Sequence, residues 1–247
     1  MNLFQILILS VVQGITEFLP ISSSGHLVIF QKIFGLSQPP VYFDILLHLG
    51  TLVSIVFFFR NELFVLLKDL QKNIKIWNAI IIGSVPAIIV GFLLKAGIDN
   101  IFNSLSLVGI LMIIGSFILF STKAAAKLKT SKKENLKEIS VWDAFFVGIF
   151  QAIAILPGIS RSGSSITGGL WKNLSKETAF KFSFFLSIPA ILGAVILKVK
   201  DIQFINVSFF ESLLAMLVSA VVGYFSLKYL EKTLKSEKFY RDRKSVV

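Results

Sequence analysis

Apolar positions in this chain do not alternate with polar ones; they run together. Five stretches, residues 41–59, 77–94, 105–121, 182–197 and 209–227, carry almost no charge. Each is close to the ~20 residues that take an α-helix across a bilayer core at about 1.5 Å per residue. The pattern predicts five membrane-spanning helices. Two further segments, 3–36 and 141–172, are nearly as apolar but are broken near their middles by Pro, Gly and Ser. In the first, residues 3–16 give about 21 Å of helix, too short to span. Pro20 stops that half, and Ser22 or Ser23 can cap the next. Both segments therefore read as re-entrant hairpins: half-helix, break, half-helix.

The two breaks resemble each other. At one constant offset Gln13 falls on Gln151, Ile15 on Ile153, Ile21 on Ile159, Ser22 on Ser160, Ser24 on Ser162 and Gly25 on Gly163. Arg161 falls where Ser23 sits. One copy reads QGITEFLPISSSGH, the other QAIAILPGISRSGS. The bland alternative is chance likeness between two serine-rich turns.

Charge sets the orientation. The chain has 247 residues, 25 Lys and Arg against 14 Asp and Glu, and a net charge of +11. Twenty of the 25 basic residues fall in the loop after the first span, in the loop 123–137, between 172 and 181, and in the tail from Lys228. Lys32, Lys95, Lys198 and Lys200 would lie on the other side. This asymmetry is the positive-inside pattern. It makes the excess charge a membrane feature and argues against nucleic acid. With this orientation, both broken segments start and finish on one face, and they enter from opposite faces. The expected fold is all-α: a polytopic membrane protein with an inverted-topology repeat.

The expected organisation is a single membrane domain. Repeat one covers about 1–121 and has three spans. A basic cytoplasmic loop covers 122–140. Repeat two covers about 141–231 and has two spans, and a basic tail covers 232–247. Mean hydropathy is +0.80, and only 16% of residues are charged, which excludes an ordinary soluble domain. The first ten residues lack a basic start and no small-residue cleavage site follows, so a signal peptide is not expected. With no cysteine, thiolate metal sites and thiol nucleophiles are excluded.

Irregular backbone at membrane depth survives when buried in protein or facing a wet cavity. The two tips should meet near the midplane. Helix N-termini rich in Ser and Gly bind anions, because free N–H groups converge there and the dipole favours negative charge. With Arg161 at the second, the two would clamp a phosphate or diphosphate. On that reading Gln13, Ser22, Ser24, Gly25 and Gly163 line the binding site. The alternative keeps the serines as caps and makes Arg161 a counter-ion to Glu17. Gln13 and Glu17 share one helix face, as do Ser22 and His26. A carboxylate at Glu17 can hold a divalent metal or act as a base. His26 can shuttle protons, and a serine beside a base can attack phosphorus. His48 follows Asp44 by four residues and is expected to pair with it and support the site from behind. Lys95 and Lys198 should snorkel to the outer surface, and Asp143 and Glu211 sit near helix starts.

These residues carry a resemblance. QGITEFLPISSSGHL (13–27) and PGISRSGSSI (157–166), with FDILLHLGTL (43–52) and FSFFLSIPAILGA (182–194), resemble the bacterial undecaprenyl-diphosphatases of the bacitracin-resistance type. The resemblance implies hydrolysis of undecaprenyl diphosphate to the monophosphate and inorganic phosphate, in lipid-carrier recycling for cell-wall synthesis. It implies a multi-pass protein of the bacterial inner membrane, a site opening to the outer face, Mg²⁺ or Ca²⁺ as cofactor, and a homodimer. Glu17 would be the essential carboxylate near metal or nucleophile, and Ser23 the nucleophile. His26 would be acid/base or rival nucleophile, and Arg161 would hold the phosphate, helped by Ser160, Ser162 and Ser165. Two positions depart from the family pattern. Gln13 stands where the family often has glutamate, and a sixth span is expected after the fifth but is absent from this sequence. A transporter or flippase of a phosphorylated lipid, or an inactive truncated homologue, are the alternatives.

Overall fold

A computed structural model describes residues 1–36, 41–95, 97–125, 132–198 and 208–235. Lys200, residues 126–131 of the basic loop, and the tail beyond 235 lie outside the described residues.

Eleven α-helices occupy the described residues, which hold no strand. The first hairpin is α1 (Leu3–Thr16) and α2 (Ser23–Ile33). The second is α8 (Val141–Ile153) and α9 (Arg161–Trp171). The first spanning helix is α3 (Val41–Phe58), followed by the short α4 (Arg60–Lys68). Then come α5 (Ile74–Leu94), α6 (Ile98–Phe102), α7 (Leu105–Ala125), α10 (Lys176–Lys198) and α11 (Phe209–Lys235). Four of these helices are long and apolar enough to cross a membrane, and α3 with α4 makes a fifth if counted as one bent span. The chain is a polytopic all-α membrane protein.

Local chemistry explains the starts. At α1 the Asn2 side chain accepts from Gln5 N–H while Gln5 reaches back to the cap backbone. Ser140 and Asp143 repeat that reciprocal arrangement at α8. Each box satisfies two of the four N–H groups a helix start leaves open.

Packing exposes the internal two-fold. α1 lies along α11, and α8 lies along α5. Each hairpin's first half is thus held by the second long helix of the opposite repeat. Close approach needs glycine: a Cβ at Gly148 would collide with the Gly83 carbonyl oxygen, and one at Gly14 would meet Val222 at 2.8 Å. Small residues let backbones approach where lipid supplies no hydrophobic drive. The main core sits between α3 and α10, built from Phe18, Phe59, Phe180, Phe184 and Phe185. Phe92, Phe117, Phe120 and Ile196 point outward as an apolar shell.

Candidate active site

The two breaks meet tip to tip, and matched residues do the joining. Ser22 Oγ accepts from Gly25 N–H at 3.3 Å, and Ser160 Oγ accepts from Gly163 N–H at 3.2 Å. Ser24 Oγ accepts from Gly158 N–H at 3.3 Å, while Ser162 Oγ donates to the Leu19 carbonyl at 3.3 Å. A Cβ at Gly25 would lie 3.3 Å from Gly158 Cα, and one at Gly163 would lie 3.0 Å from Pro20 Cβ. Under the repeat, Gly25 matches Gly163 and Pro20 matches Gly158. The tips are therefore one motif used twice, about a local two-fold.

Chemistry appears where the copies differ. Glu17, 7% exposed, lies at the end of α1. Its Oε2 accepts from Ser23 Oγ at 2.6 Å and from Gln13 Nε2 at 3.1 Å. Its Oε1 accepts from Arg161 Nη2 at 3.3 Å, across the junction of the tips. A buried carboxylate needs this company, because an unpaired one costs several kcal/mol. Arg161 also lies 5.8 Å from the Phe184 ring centroid. Among the described residues its buried Nη1 has no partner, and the same holds for Gln13 Oε1 and both amide atoms of Gln151. Unpaired buried atoms are uncommon, and at a functional site they mark where something binds.

His26 Nδ1 lies 2.8 Å from the Ser22 carbonyl. A carbonyl only accepts, so Nδ1 carries a hydrogen, and in the neutral imidazole Nε2 keeps a lone pair. His48 Nδ1 lies 2.8 Å from the Asp44 carbonyl in the same way. Its Nε2 is 3.8 Å from Glu17 Oε2. The sequence pairs His48 with the Asp44 side chain. In the structure the Asp44 carboxylate accepts instead from Gln31 Nε2 at 3.0 Å, and His48 turns toward Glu17. The signal for this contact was an imidazole inside an otherwise apolar span, which favours a functional partner.

The remaining serines have other engagements. Ser165 Oγ donates to the Arg161 carbonyl at 2.7 Å and lies 2.6 Å from Ser183 Oγ on α10. Ser22 and Ser160 serve as caps. Ser22 holds φ 69°, a left-handed conformation that strains a non-glycine residue. This fixes the sharp entry to α2 beside Glu17.

The donor set does not suit a resident divalent cation. Among the described residues no three His, Cys, Asp or Glu side chains come together to hold one. Glu17 is surrounded by donors and a guanidinium, and Gln13 supplies no second charge. Mg²⁺ and Ca²⁺ need an oxygen-rich shell.

The family model described as "Bacitracin resistance protein BacA" matches residues 6–241. A protein of Carboxydothermus hydrogenoformans named undecaprenyl-diphosphatase is 42% identical over 243 residues, covering 96% of this chain and 91% of that protein. One of the same name from Alkaliphilus metalliredigens is 38% identical over 262 residues, 97% of this chain and 93% of that one. An "undecaprenyl-diphosphatase 4" of Bacillus thuringiensis is 37% identical over 238 residues, 95% of this chain and 90% of that one. With paired broken hairpins and a model match over nearly its whole length, this chain belongs to the BacA bacitracin-resistance family.

Proposed function

We propose that the chain hydrolyses undecaprenyl diphosphate to undecaprenyl phosphate and inorganic phosphate. One observation carries this reading: Ser23, Glu17 and Arg161 form a single part-buried hydrogen-bonded chain across the two tips. A hydroxyl, a carboxylate that can take its proton and a guanidinium that can hold an anion stand together there. Phosphoryl transfer asks mainly for positioning and charge stabilisation.

The steps follow from the contacts. The terminal phosphate enters beside Arg161, whose unpaired Nη1 takes an oxygen while Nη2 is drawn from Glu17. Ser23 passes its proton to Glu17 Oε2, and its Oγ attacks the terminal phosphorus. The bridging P–O bond breaks and the lipid leaves as its monophosphate. A water then gives its proton to His26 Nε2 and attacks the phosphoserine. The P–Oγ bond breaks as Ser23 takes back the proton from Glu17, and phosphate departs with the proton that His26 gives up. The donors at the starts of α2 and α9 favour the negative charge throughout.

An opening to the outer face is part of the proposal and is supported by the bias of Lys and Arg to the opposite side. The homodimer is also part of it, supported by family resemblance alone, and cross-linking in native membranes tests it. Lipid transport is a second reading, favoured by the two-fold relation between broken hairpins, an architecture used by transporters.

Phosphate release by purified protein from undecaprenyl diphosphate tests the main reading. Ser23→Ala and Glu17→Gln should each lose on the order of 10²–10⁴ in turnover. Labelled terminal phosphate should be trapped on the parent chain and not on Ser23→Ala. A Ser23→Ala chain that hydrolyses at the parent rate removes the serine mechanism. Lipid crossing vesicle membranes with no phosphate released would select transport.

A further inference from the structure

We infer that His48 is a positioning residue for the first half of the reaction: its Nε2 accepts a hydrogen bond from Glu17 while Glu17 holds the proton taken from Ser23. This rests on the phosphatase reading and gives α3 a share in a site otherwise built by the two tips.

The surroundings of Glu17 supply the first argument. As a carboxylate it accepts from Ser23 Oγ and Gln13 Nε2 at Oε2, and from Arg161 Nη2 at Oε1. Among the described residues these hydrogen-bond partners are all donors, which suits the ionised group before reaction. Once Oε2 has taken the Ser23 proton it becomes a donor itself, and Ser23 Oγ is bonded to phosphorus. A buried hydroxyl hydrogen without an acceptor carries the penalty of an unmade hydrogen bond. Neither an amide N–H nor a guanidinium can receive it. Gln13 can offer its oxygen only by turning its amide over and giving up the bond it makes at 3.1 Å.

His48 can receive it as it stands. Its Nδ1 lies 2.8 Å from the Asp44 carbonyl, so Nδ1 carries a hydrogen, and in the neutral imidazole the lone pair is on Nε2. Nε2 is 3.8 Å from Glu17 Oε2, the same oxygen that Ser23 reaches. That gap is about 1 Å longer than a hydrogen bond. A lone pair facing a carboxylate has nothing to close it; a proton on Oε2 supplies the link. The His48 side chain is 32% exposed against 5% for Glu17, so the imidazole has room to move in. Nucleophile, base and a third group that orients the base thus form one chain: Ser23, Glu17, His48. The proton stays on Glu17 until Ser23 takes it back, so His48 gains and loses none and the reaction's balance is unchanged.

Rapid-quench kinetics test this role, on the full chain in detergent with undecaprenyl diphosphate labelled in its terminal phosphate. Formation and hydrolysis of the phosphoserine are read separately, and KM comes from steady-state phosphate release. His48→Met should form phosphoserine about tenfold or more slowly and hydrolyse it no more slowly than the parent chain. Its KM should stay near the parent value, because the effect is exerted through Glu17 and not on the lipid. An inactive fraction would lower the amplitude of both phases rather than the rate of one. His48→Gln, whose amide oxygen can accept, should recover most of the rate. His48→Leu repeats the apolar substitution should the Met variant fail to fold, and melting temperatures identify the folded chains. Phosphoserine formed at the parent rate in a folded apolar variant overturns the inference and leaves the phosphatase reading standing. Equal losses in His48→Gln and His48→Met do the same, since the ring and not an acceptor would then matter. A parent chain that releases phosphate without carrying label on Ser23 overturns the inference together with the serine mechanism. One that releases no phosphate brings down the phosphatase reading itself.

Discussion

Ser23 and Arg161 occupy the same position of a repeated motif, yet one is a small hydroxyl and the other a long cation. Around them the copies agree: Ser22 and Ser160 cap, Ser24 and Ser162 bridge, and Gly25 and Gly163 allow contact. The matched residues build the frame, and the unmatched ones act inside it. Two kinds of variant should therefore separate. Ser160→Ala loses a cap worth about 1 kcal/mol, read as a lower melting temperature in detergent. Arg161→Lys keeps the charge but not the planar fork. It should melt near the parent temperature and lose on the order of a hundredfold in turnover. An Arg161→Lys chain at parent turnover would leave the fork without a role. The Glu17–Arg161 pairing was legible in the sequence only as the alternative to the phosphate clamp, in which Arg161 is a counter-ion to Glu17: an acid and a base in apolar surroundings find each other. The engagement of Ser165 was not, since its bonds to the Arg161 carbonyl and to Ser183 depend on rotamer and on α10. His48 was half legible. Spacing named Asp44, and only the packing of α1 against α3 showed Glu17.

At the scale of elements, the apolar runs located every long helix but set their ends too short. α5 begins at Ile74 rather than 77, α10 at Lys176 rather than 182, and α11 runs to Lys235 rather than 227. Hydropathy marks the hydrocarbon slab, whereas helices continue into the headgroup layer on polar turns. A bend closes the first run: α3 and α4 meet at 72°, where the apolar stretch ends at Phe59 and Arg60 begins α4. The run marked where α3 stops, but not that the polar stretch after it continues as helix in a new direction. Helix contacts were equally hidden, and they carry a prediction. Gly148→Ala would press a methyl group against the Gly83 carbonyl and part α5 from α8. It should cost about 1–3 kcal/mol. Gly193→Ala, in α10 with nothing within 4 Å of the added carbon, should be neutral or stabilising by about 0.5–1 kcal/mol. Melting temperatures of the two variants in one detergent check the contrast, and equal shifts would deny that α5 and α8 depend on that contact.

For the whole molecule, the repeats must also be tied together away from the site, and Asp143 does this. It caps α8 with Ser140, forms an ion pair with Lys133, and lies 4.0 Å from Lys172 Nζ. Lys133 belongs to the returning end of the loop after α7, and its backbone pairs with Asn173 and Ser175. One buried carboxylate thus clamps the inter-repeat connection to both ends of the second hairpin. Burial raises the Asp143 carboxyl, but the hydrogen bonds from Lys133 and Ser140 outweigh it and hold it below the ordinary carboxylate value. A group lowered in the folded state stabilises above its unfolded value, about 3.9. That stabilisation is lost as pH falls through the folded value. The parent chain should therefore melt progressively earlier below about pH 4. Asp143→Asn should melt earlier at neutral pH and show a shallower acid slope, while phosphate release at neutral pH persists in the chains that remain folded. The difference in slope isolates Asp143 from the other carboxylates. Parallel acid slopes in the two chains would mean that the clamp contributes nothing that titrates, and that the repeats are held together by their helix faces alone.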